Sequence, residues 1–105
     1  MPNLHLVERK NNVSKIPNSD NEWESGFWVV GDETAKELVG GNLYLHENQS
    51  APSHFGGAIL GYRVFRDASR PDIDGRVIFR IRAAITYRGL KTGREGWGNE
   101  KKIEW

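Results

Sequence analysis

The chain has 105 residues, of which 37% are hydrophobic and 28% charged, and it contains no cysteine. A chain of this length supplies one domain with a single modest core, which excludes a multidomain enzyme. The lack of cysteine excludes disulfides, thiolate nucleophiles and cysteine-ligated zinc. No run approaches the roughly 20 apolar residues of a membrane span, and residues 1–12 lack the features of a signal peptide. A cytoplasmic location without membrane contact is therefore expected.

The net charge of +1 conceals an uneven distribution of charge along the chain. Residues 1–40 contain four basic and seven acidic residues, a net charge of −3. Residues 58–94 contain nine basic residues, eight of them arginine, and three acidic residues, a net charge of +6. Because the planar guanidinium group suits phosphates and base edges, this second region indicates a polyanionic partner.

The N-terminal quarter of the chain differs in composition from the rest. Residues 1–25 show no sustained periodicity and are rich in Asn, Ser, Lys and Glu, which predicts an irregular acidic N-terminal arm. A single folded domain is expected over residues 26–105. Its first strand is predicted at residues 27–30, an apolar β-prone run between two glycines. A short helix follows at residues 32–39, with Asp32 as its N-terminal cap.

Alternating apolar and polar residues predict a second strand at residues 43–46. Leucines lie on one side of this strand, and Tyr44 and His46 lie on the other. The composition of residues 48–57 is typical of a loop. Residues 58–65, apolar at nearly every position, form the third predicted strand.

The rest of the chain is interpreted from one glycine and from the alternation of apolar and polar residues. Gly61 inside the third strand predicts a bulge or a close approach of another backbone. The alternation in residues 76–88 predicts one long half-buried strand, or two strands separated by a bend near residues 83–84. Residues 101–105 are a candidate closing strand. Together these elements predict a mainly β (α+β) fold, a small antiparallel β-barrel with one short helix after its first strand.

Four segments occur in a recognisable order: Trp28-Val29-Val30, Gly41-Asn42-Leu43-Tyr44-Leu45-His46, Ile59-Leu60-Gly61-Tyr62-Arg63-Val64 and Val77-Ile78-Phe79-Arg80-Ile81. Their order and spacing over residues 27–88 resemble the PUA-like superfamily, particularly its EVE-type members, although Gly31 and Asp32 stand where that family usually has lysine and serine. The resemblance implies a PUA-like barrel that binds nucleic acid. EVE-type members are associated with modified bases held in an aromatic-lined pocket.

Seven residues are candidates for lining a base or ligand pocket: Trp28, Asp32, Tyr44, His46, His54, Phe55 and Trp97. Asp32 has the chemistry to accept a hydrogen bond from a base amino group, or only to cap its helix. His54 and Phe55 precede two glycines that allow close approach of a base, although a plain hairpin explains those glycines equally well. Trp97, between two glycines, is either a lid over a cavity or a contact for a partner.

Four arginines are candidates for phosphate contacts: Arg63, Arg80, Arg82 and Arg88. In the functional interpretation they form a stripe that neutralises phosphates and makes affinity depend steeply on salt. In the alternative interpretation they belong to a solvated sheet face, where the acidic arm and nearby aspartates pair with them. The sequence does not decide between these interpretations.

The favoured function is a nucleic-acid-binding module, for DNA or RNA, that recognises a base, modified or plain. No metal or cofactor is expected, because His46, Glu47 and His54 do not make a set of three or four converging ligands. No nucleophile elbow or phosphate-binding loop is present, so catalysis is not favoured. The alternatives are a small nuclease that uses His46 or His54, and a protein-interaction module that uses the arm and Trp97. No role is assigned to His5, which lies in the predicted arm.

Overall fold

The computed structural model of the protein describes residues 2–8, 12–93, 95–98 and 100–105. Its elements in chain order are β1 (Asn3–Val7), β2 (Val13–Lys15), β3 (Glu22–Trp28), α1 (Asp32–Leu38), β4 (Asn42–His46), β5 (Ser53–Val64), β6 (Val77–Ala83), a 3-10 helix (Ile85–Tyr87) and β7 (Lys101–Glu104). Within these described ranges, no helix is long and apolar enough to cross a membrane.

All seven strands belong to one sheet, in the order β2-β3-β6-β5-β4-β1-β7. Neighbouring strands are antiparallel except β1 and β4, which are parallel. The edge strands β2 and β7 do not pair with each other in the described part of the chain. The fold is mainly β with one short helix, as predicted, but the sheet is mixed and open where a closed antiparallel barrel was expected.

The prediction of an irregular arm over residues 1–25 is wrong. This segment contains β1, β2 and the first half of β3. β1 lies inside the sheet between β4 and β7, and its residues Leu4 and Leu6 are fully buried. β1 is ordered because its leucines join the core while its backbone pairs on both sides, and β2 pairs on one side with β3. The helix consequently follows the third strand of the chain and not the first.

The two faces of the sheet differ in polarity. Successive residues of a strand point to opposite faces. One face carries the core: Leu4, Leu6, Leu43, Leu45, Ile59, Phe79 and Ile81. Helix α1 adds Ala35 and Leu38 to the same cluster, so the helix packs on this face. The other face carries most of the candidate functional side chains.

Helix α1 covers the predicted residues to within one position, but Asp32 does not cap it. The N-terminal cap is Gly31, which offers no side chain for capping. Asp32 is the first helical residue, and its Oδ1 accepts a hydrogen bond of 2.8 Å from the Tyr62 hydroxyl. The capping role predicted for Asp32 is therefore wrong.

Strand β5 is longer than predicted because it begins at Ser53, inside the segment that was expected to be a loop. The predicted bulge at Gly61 is confirmed, since the register of β5 on β6 shifts between Ile59 and Gly61. Residues 76–88 form neither one long strand nor two strands, although β6 does end at the position expected for a bend. β6 ends at Ala83 and is followed by the 3-10 helix, so no second strand continues beyond the bend.

Candidate functional site

A cluster of polar and aromatic side chains is buried on the polar face at the β4-β1-β7 end of the sheet. His5, Tyr44 and Lys102 lie side by side in adjacent strands. The covering segment, which we define as residues 87–93 and 95–98, lies over them. The ring of Tyr87 lies 5.3 Å from that of Tyr44, and the ring of Trp97 lies 6.3 Å from His5. Both His5 and its neighbour His46 are fully buried as a result.

These two histidines belong to a chain of three hydrogen bonds. His46 Nδ1 lies 2.9 Å from the carbonyl oxygen of Ala51, and His46 Nε2 lies 3.0 Å from His5 Nδ1. His5 Nε2 lies 2.8 Å from Glu104 Oε1. We call Ala51, His46, His5 and Glu104 the histidine chain. The two imidazole rings between its ends are fully buried, whereas the Glu104 side chain is 44% exposed and Ala51 is half-buried.

Burial and hydrogen bonding shift the pKa values of several groups in this cluster. Burial lowers the pKa of His46, an effect that the Ala51 carbonyl opposes and that His5 and His54 reinforce. The hydrogen bond from His5 lowers the pKa of Glu104. Burial raises the pKa of the Tyr44 hydroxyl. Near pH 7, His46 is therefore neutral and Glu104 is ionised.

The covering segment is tied to the sheet at several places, among them a bond of 2.7 Å from the Tyr87 hydroxyl to Asn42 Oδ1 of β4. The Ser53 N–H donates to the Leu90 carbonyl at 2.7 Å, and the Leu90 N–H donates to Ser53 Oγ at 3.0 Å. Farther along, Lys102 Nζ donates to Thr92 Oγ1 at 2.7 Å and to the Gly93 carbonyl at 2.9 Å. These contacts join the covering segment to β4, β5 and β7.

The histidine chain does not have the geometry of a catalytic base. One ring nitrogen of His46 is bound to a backbone carbonyl and the other to His5, and the ring has no solvent-exposed surface. A general base must reach the proton that it removes from a substrate. His54 is exposed, and among the residues that the structure describes no acidic side chain binds it. The nuclease alternative thus gains no geometric support.

The arginines of the polar face are partly neutralised. Arg63 binds Glu24 with two hydrogen bonds, of 2.9 and 3.1 Å, and Arg80 binds Glu22. The bond from Arg63 lowers the pKa of Glu24. Both acids come from the segment predicted as the acidic arm, so pairing with arm residues, the alternative interpretation, holds for these two arginines.

Arg82 and Arg88 behave differently from these two arginines. Both are exposed, and within the described ranges neither forms an ion pair. Arg88 follows the 3-10 helix directly, near the end of β6 that carries Arg82. Their charges are therefore available to an external anion.

An aromatic cleft lies beside Arg88 at the margin of the core. The rings of Trp23 and Phe55 lie 5.2 Å apart and nearly perpendicular, at 74°. The cleft has a volume of about 260 Å³. Its remaining lining residues are Asp20, Asn21, Ala83, Ala84, Ile85 and Arg88. Ile85 is 78% exposed. We call this feature the Trp23–Phe55 cleft.

Two adjoining larger clefts, of about 430 and 440 Å³, lie at the other end of β3. They share Phe27, Trp28, Arg76 and Glu100. Trp28 is mainly a core residue here, because it is 7% exposed and its Nε1–H donates to Ser25 Oγ. Carboxylates and cations both line these clefts, so their charge favours no single class of ligand.

The structure does not gather the seven predicted pocket residues into one site. Three of them, Tyr44, His46 and Trp97, lie in the buried cluster around the histidine chain. Phe55 lines the Trp23–Phe55 cleft, whereas its neighbour His54 is exposed and lies close enough to His46 to lower the pKa of His46. Trp28 lies in the core, and Asp32 lies at the start of α1.

No family model matches the chain, and no curated protein or solved structure matches it. Only the chemistry of its own residues therefore bears on its function. Across the described ranges, no group of three or more histidine or acidic residues could hold a metal ion.

The sequence interpretation missed His5, Lys102 and Glu104 because it placed β1 in an arm and assigned no partner to β7. A usable signal existed. Residues 3–6 read Asn-Leu-His-Leu, and residues 42–45 read Asn-Leu-Tyr-Leu. The two segments pair in parallel, residue for residue. Two similar alternating segments are typical of neighbouring strands that share one apolar face.

Proposed function

We propose that the protein binds nucleic acid and takes an unstacked base into the Trp23–Phe55 cleft. The observation that carries the proposal is the pair of perpendicular rings beside the unpaired Arg88. Aromatic side chains bind the faces of unstacked bases, and arginine binds the adjoining phosphate. At about 260 Å³ the cleft is smaller than the roughly 300–1,000 Å³ of drug-sized ligand sites, which favours a single planar ring.

Charge around the cleft supports the same proposal. Arg82 and Arg88 are the phosphate contacts, whereas Arg63 and Arg80 already bind carboxylates. Asp20 at the rim supplies an acceptor for a base amino group, the role that the sequence suggested for Asp32. The proposal thus keeps Arg82 and Arg88 of the four predicted phosphate contacts. Of the seven residues predicted to line the base pocket, it uses Phe55 in the Trp23–Phe55 cleft.

The proposal includes the finer expectations from the sequence. These are a relationship to PUA-like and EVE-type domains, recognition of a modified base, and a cytoplasmic location. An affinity panel that contains modified bases tests the second of them directly.

The test is fluorescence polarisation with single-stranded and duplex DNA and RNA, with and without modified cytosine, over a salt series. We expect single strands to bind more tightly than duplexes, because only single strands present unstacked bases. We also expect the logarithm of the affinity to fall linearly with the logarithm of the salt concentration. Absence of binding to every oligonucleotide at low salt would overturn the proposal.

Three variants locate the site. Phe55→Leu, which keeps apolar volume but removes the ring, should weaken binding about 5-fold to 150-fold, as expected for a loss of roughly 1–3 kcal/mol of stacking. Arg88→Ala should reduce the salt slope by about one. Arg63→Ala is the matched control, because this exposed arginine is already paired with Glu24. If Arg63→Ala and Arg88→Ala lowered the affinity for nucleic acid equally, the phosphate contact would not lie specifically at Arg88.

A further inference from the structure

The three contacts of the histidine chain define how many protons it must carry. Each contact joins two atoms that both have lone pairs, so each needs one hydrogen between them. Two neutral imidazole rings bring one N–H each, and an ionised carboxylate brings none. Three contacts therefore require one proton more than the neutral histidines and the ionised Glu104 supply.

Any other proton count leaves a contact unsatisfied. Without the extra proton, two lone pairs face each other at one of the three contacts. With a further proton on His46, its Nε2–H faces the Nδ1–H of His5 across 3.0 Å. Both faults leave a ring nitrogen of a fully buried histidine unsatisfied, and a buried unsatisfied polar group costs roughly 1–3 kcal/mol.

The surroundings place the extra proton on His5. His46 must donate its Nδ1–H to the carbonyl of Ala51, so its Nε2 accepts from His5 Nδ1. His5 then donates its second proton to Glu104. The charged and titratable groups that face this chain are Tyr44 of β4, His54 of β5, and Lys102 and Glu104 of β7.

The covering segment is connected directly to this chain. Thr92 Oγ1 donates to Glu104 Oε2 at 3.2 Å and accepts from Lys102 Nζ. Trp97 lies over both imidazole rings, 5.8 Å from His46 and 6.3 Å from His5. Opening of the covering segment would hydrate both rings and remove the penalty for an incorrect proton count.

We propose that the histidine chain is a proton-operated latch, which holds the covering segment closed most tightly when the chain carries one extra proton. This inference does not depend on nucleic-acid binding. It rests on contacts of β4, β1 and β7, although the covering segment also carries Arg88, a phosphate contact of the proposed function.

The latch makes a quantitative prediction about pH. An imidazole in water takes up its proton at about pH 6.5, so two hydrated imidazoles hold on average one proton between them at that pH. Above it, opening releases a proton, and below it, opening takes one up. The open population is therefore smallest near pH ~6.5. It rises about threefold one pH unit away and about 25-fold two units away, in both directions.

Hydrogen exchange of the intact protein measures this population. The protection of the amides of residues 87–93 is followed from pH 4.5 to 8.5, over the range in which it stays below the protection of β6, so that it reports opening of the covering segment and not global unfolding. A maximum of this protection near pH 6.5 is the expected result. A flat or monotonic profile would overturn the proposal. Nitrogen NMR of the three histidine rings should show both nitrogens of His5 protonated near pH 6.5, and a singly protonated His5 would also overturn it.

Two variants separate the latch from a general effect of pH. In Glu104→Gln the side-chain amide can donate to His5 Nε2, so all three contacts are satisfied without the extra proton. Its profile should be flat above pH 6.5 and should lose protection only in acid. His54→Asn removes the exposed histidine and should keep the maximum. An unchanged maximum in Glu104→Gln, or its loss in His54→Asn, would contradict the latch.

Discussion

At the scale of single residues, the buried polar side chains are stabilised by particular partners. The Trp28 indole N–H donates to Ser25 Oγ at 3.0 Å, and both groups are buried. The Trp97 indole N–H is also buried but has no hydrogen-bond partner in the described part of the chain. An unsatisfied buried donor costs free energy, so the two tryptophans differ in what their N–H groups contribute to stability.

This difference predicts opposite results for two chemically identical substitutions. Trp28→Phe leaves a cavity and removes the hydrogen-bond donor to the buried Ser25 Oγ. It should therefore lower the free energy of unfolding by about 2–4 kcal/mol. Trp97→Phe removes an unsatisfied donor, and this gain offsets part of the free energy lost with the smaller contact area. It should change the free energy of unfolding by less than about 1 kcal/mol. Urea denaturation measures both values. A larger loss for Trp97→Phe would contradict the interpretation.

The sequence predicted which charged side chains the protein has, but it did not predict which of them pair with each other. The arginine-rich region and its possible acidic partners are visible in the sequence. That Arg63 binds Glu24 is not, because 39 residues separate the two and only the pairing of β3 and β5 with β6 brings them to one face. Asp32 illustrates the same limit. Its place in the sequence suggested a helix cap, but in the structure its carboxylate accepts a hydrogen bond from Tyr62.

At the scale of elements, strand β5 contains glycines with very different surroundings. A Cβ on Gly57 would lie 2.3 Å from the Arg82 carbonyl oxygen of β6. A Cβ on Gly61, at the bulge, would have no atom within 4 Å. The first glycine permits close approach of two strands, and the second lies in open space.

These surroundings predict a strong contrast between two substitutions in one strand. Gly57→Ala must push β6 away and should destabilise the protein by at least about 2 kcal/mol. Gly61→Ala should be neutral or stabilise it by up to about 1 kcal/mol, because it restricts the unfolded chain without a clash. Thermal unfolding of both variants tests the contrast. Similar effects at the two positions would show that strand separation here is not limited by Gly57.

Elements with a strong local signal were predicted, and those that depend on distant pairing were not. The alternation of β4 and the apolar run of β5 identify strands without reference to the rest of the chain. β1 shows the same alternation of apolar and polar residues over five residues. It was not predicted as a strand because the residues that follow it in the sequence are mostly polar. Its stability comes from β4 and β7, which lie about 40 and 100 residues farther along the chain.

At the scale of the whole molecule, β1 should be as important for stability as any central strand. Leu6 is fully buried in the core cluster, although it lies in the segment predicted as an arm. Leu6→Ala should cost about 2–5 kcal/mol of unfolding free energy, as expected for a buried leucine. Val29→Ala, at a position that is 68% exposed, is the control and should cost less than about 0.5 kcal/mol. A small loss for Leu6→Ala in urea denaturation would show that β1 is dispensable.

By itself, the sequence determined a mainly β chain with one short helix, a bulge at Gly61 and an arginine-rich region near β6. These features follow from local periodicity, glycine positions and composition, which need no information about distant residues. Only the tertiary structure decided that the sheet is open and mixed, that acids neutralise Arg63 and Arg80, and that His5 meets His46 and Glu104. Each of these depends on contacts between residues far apart in the chain, and such contacts are determined by strand order, which local periodicity and composition do not specify.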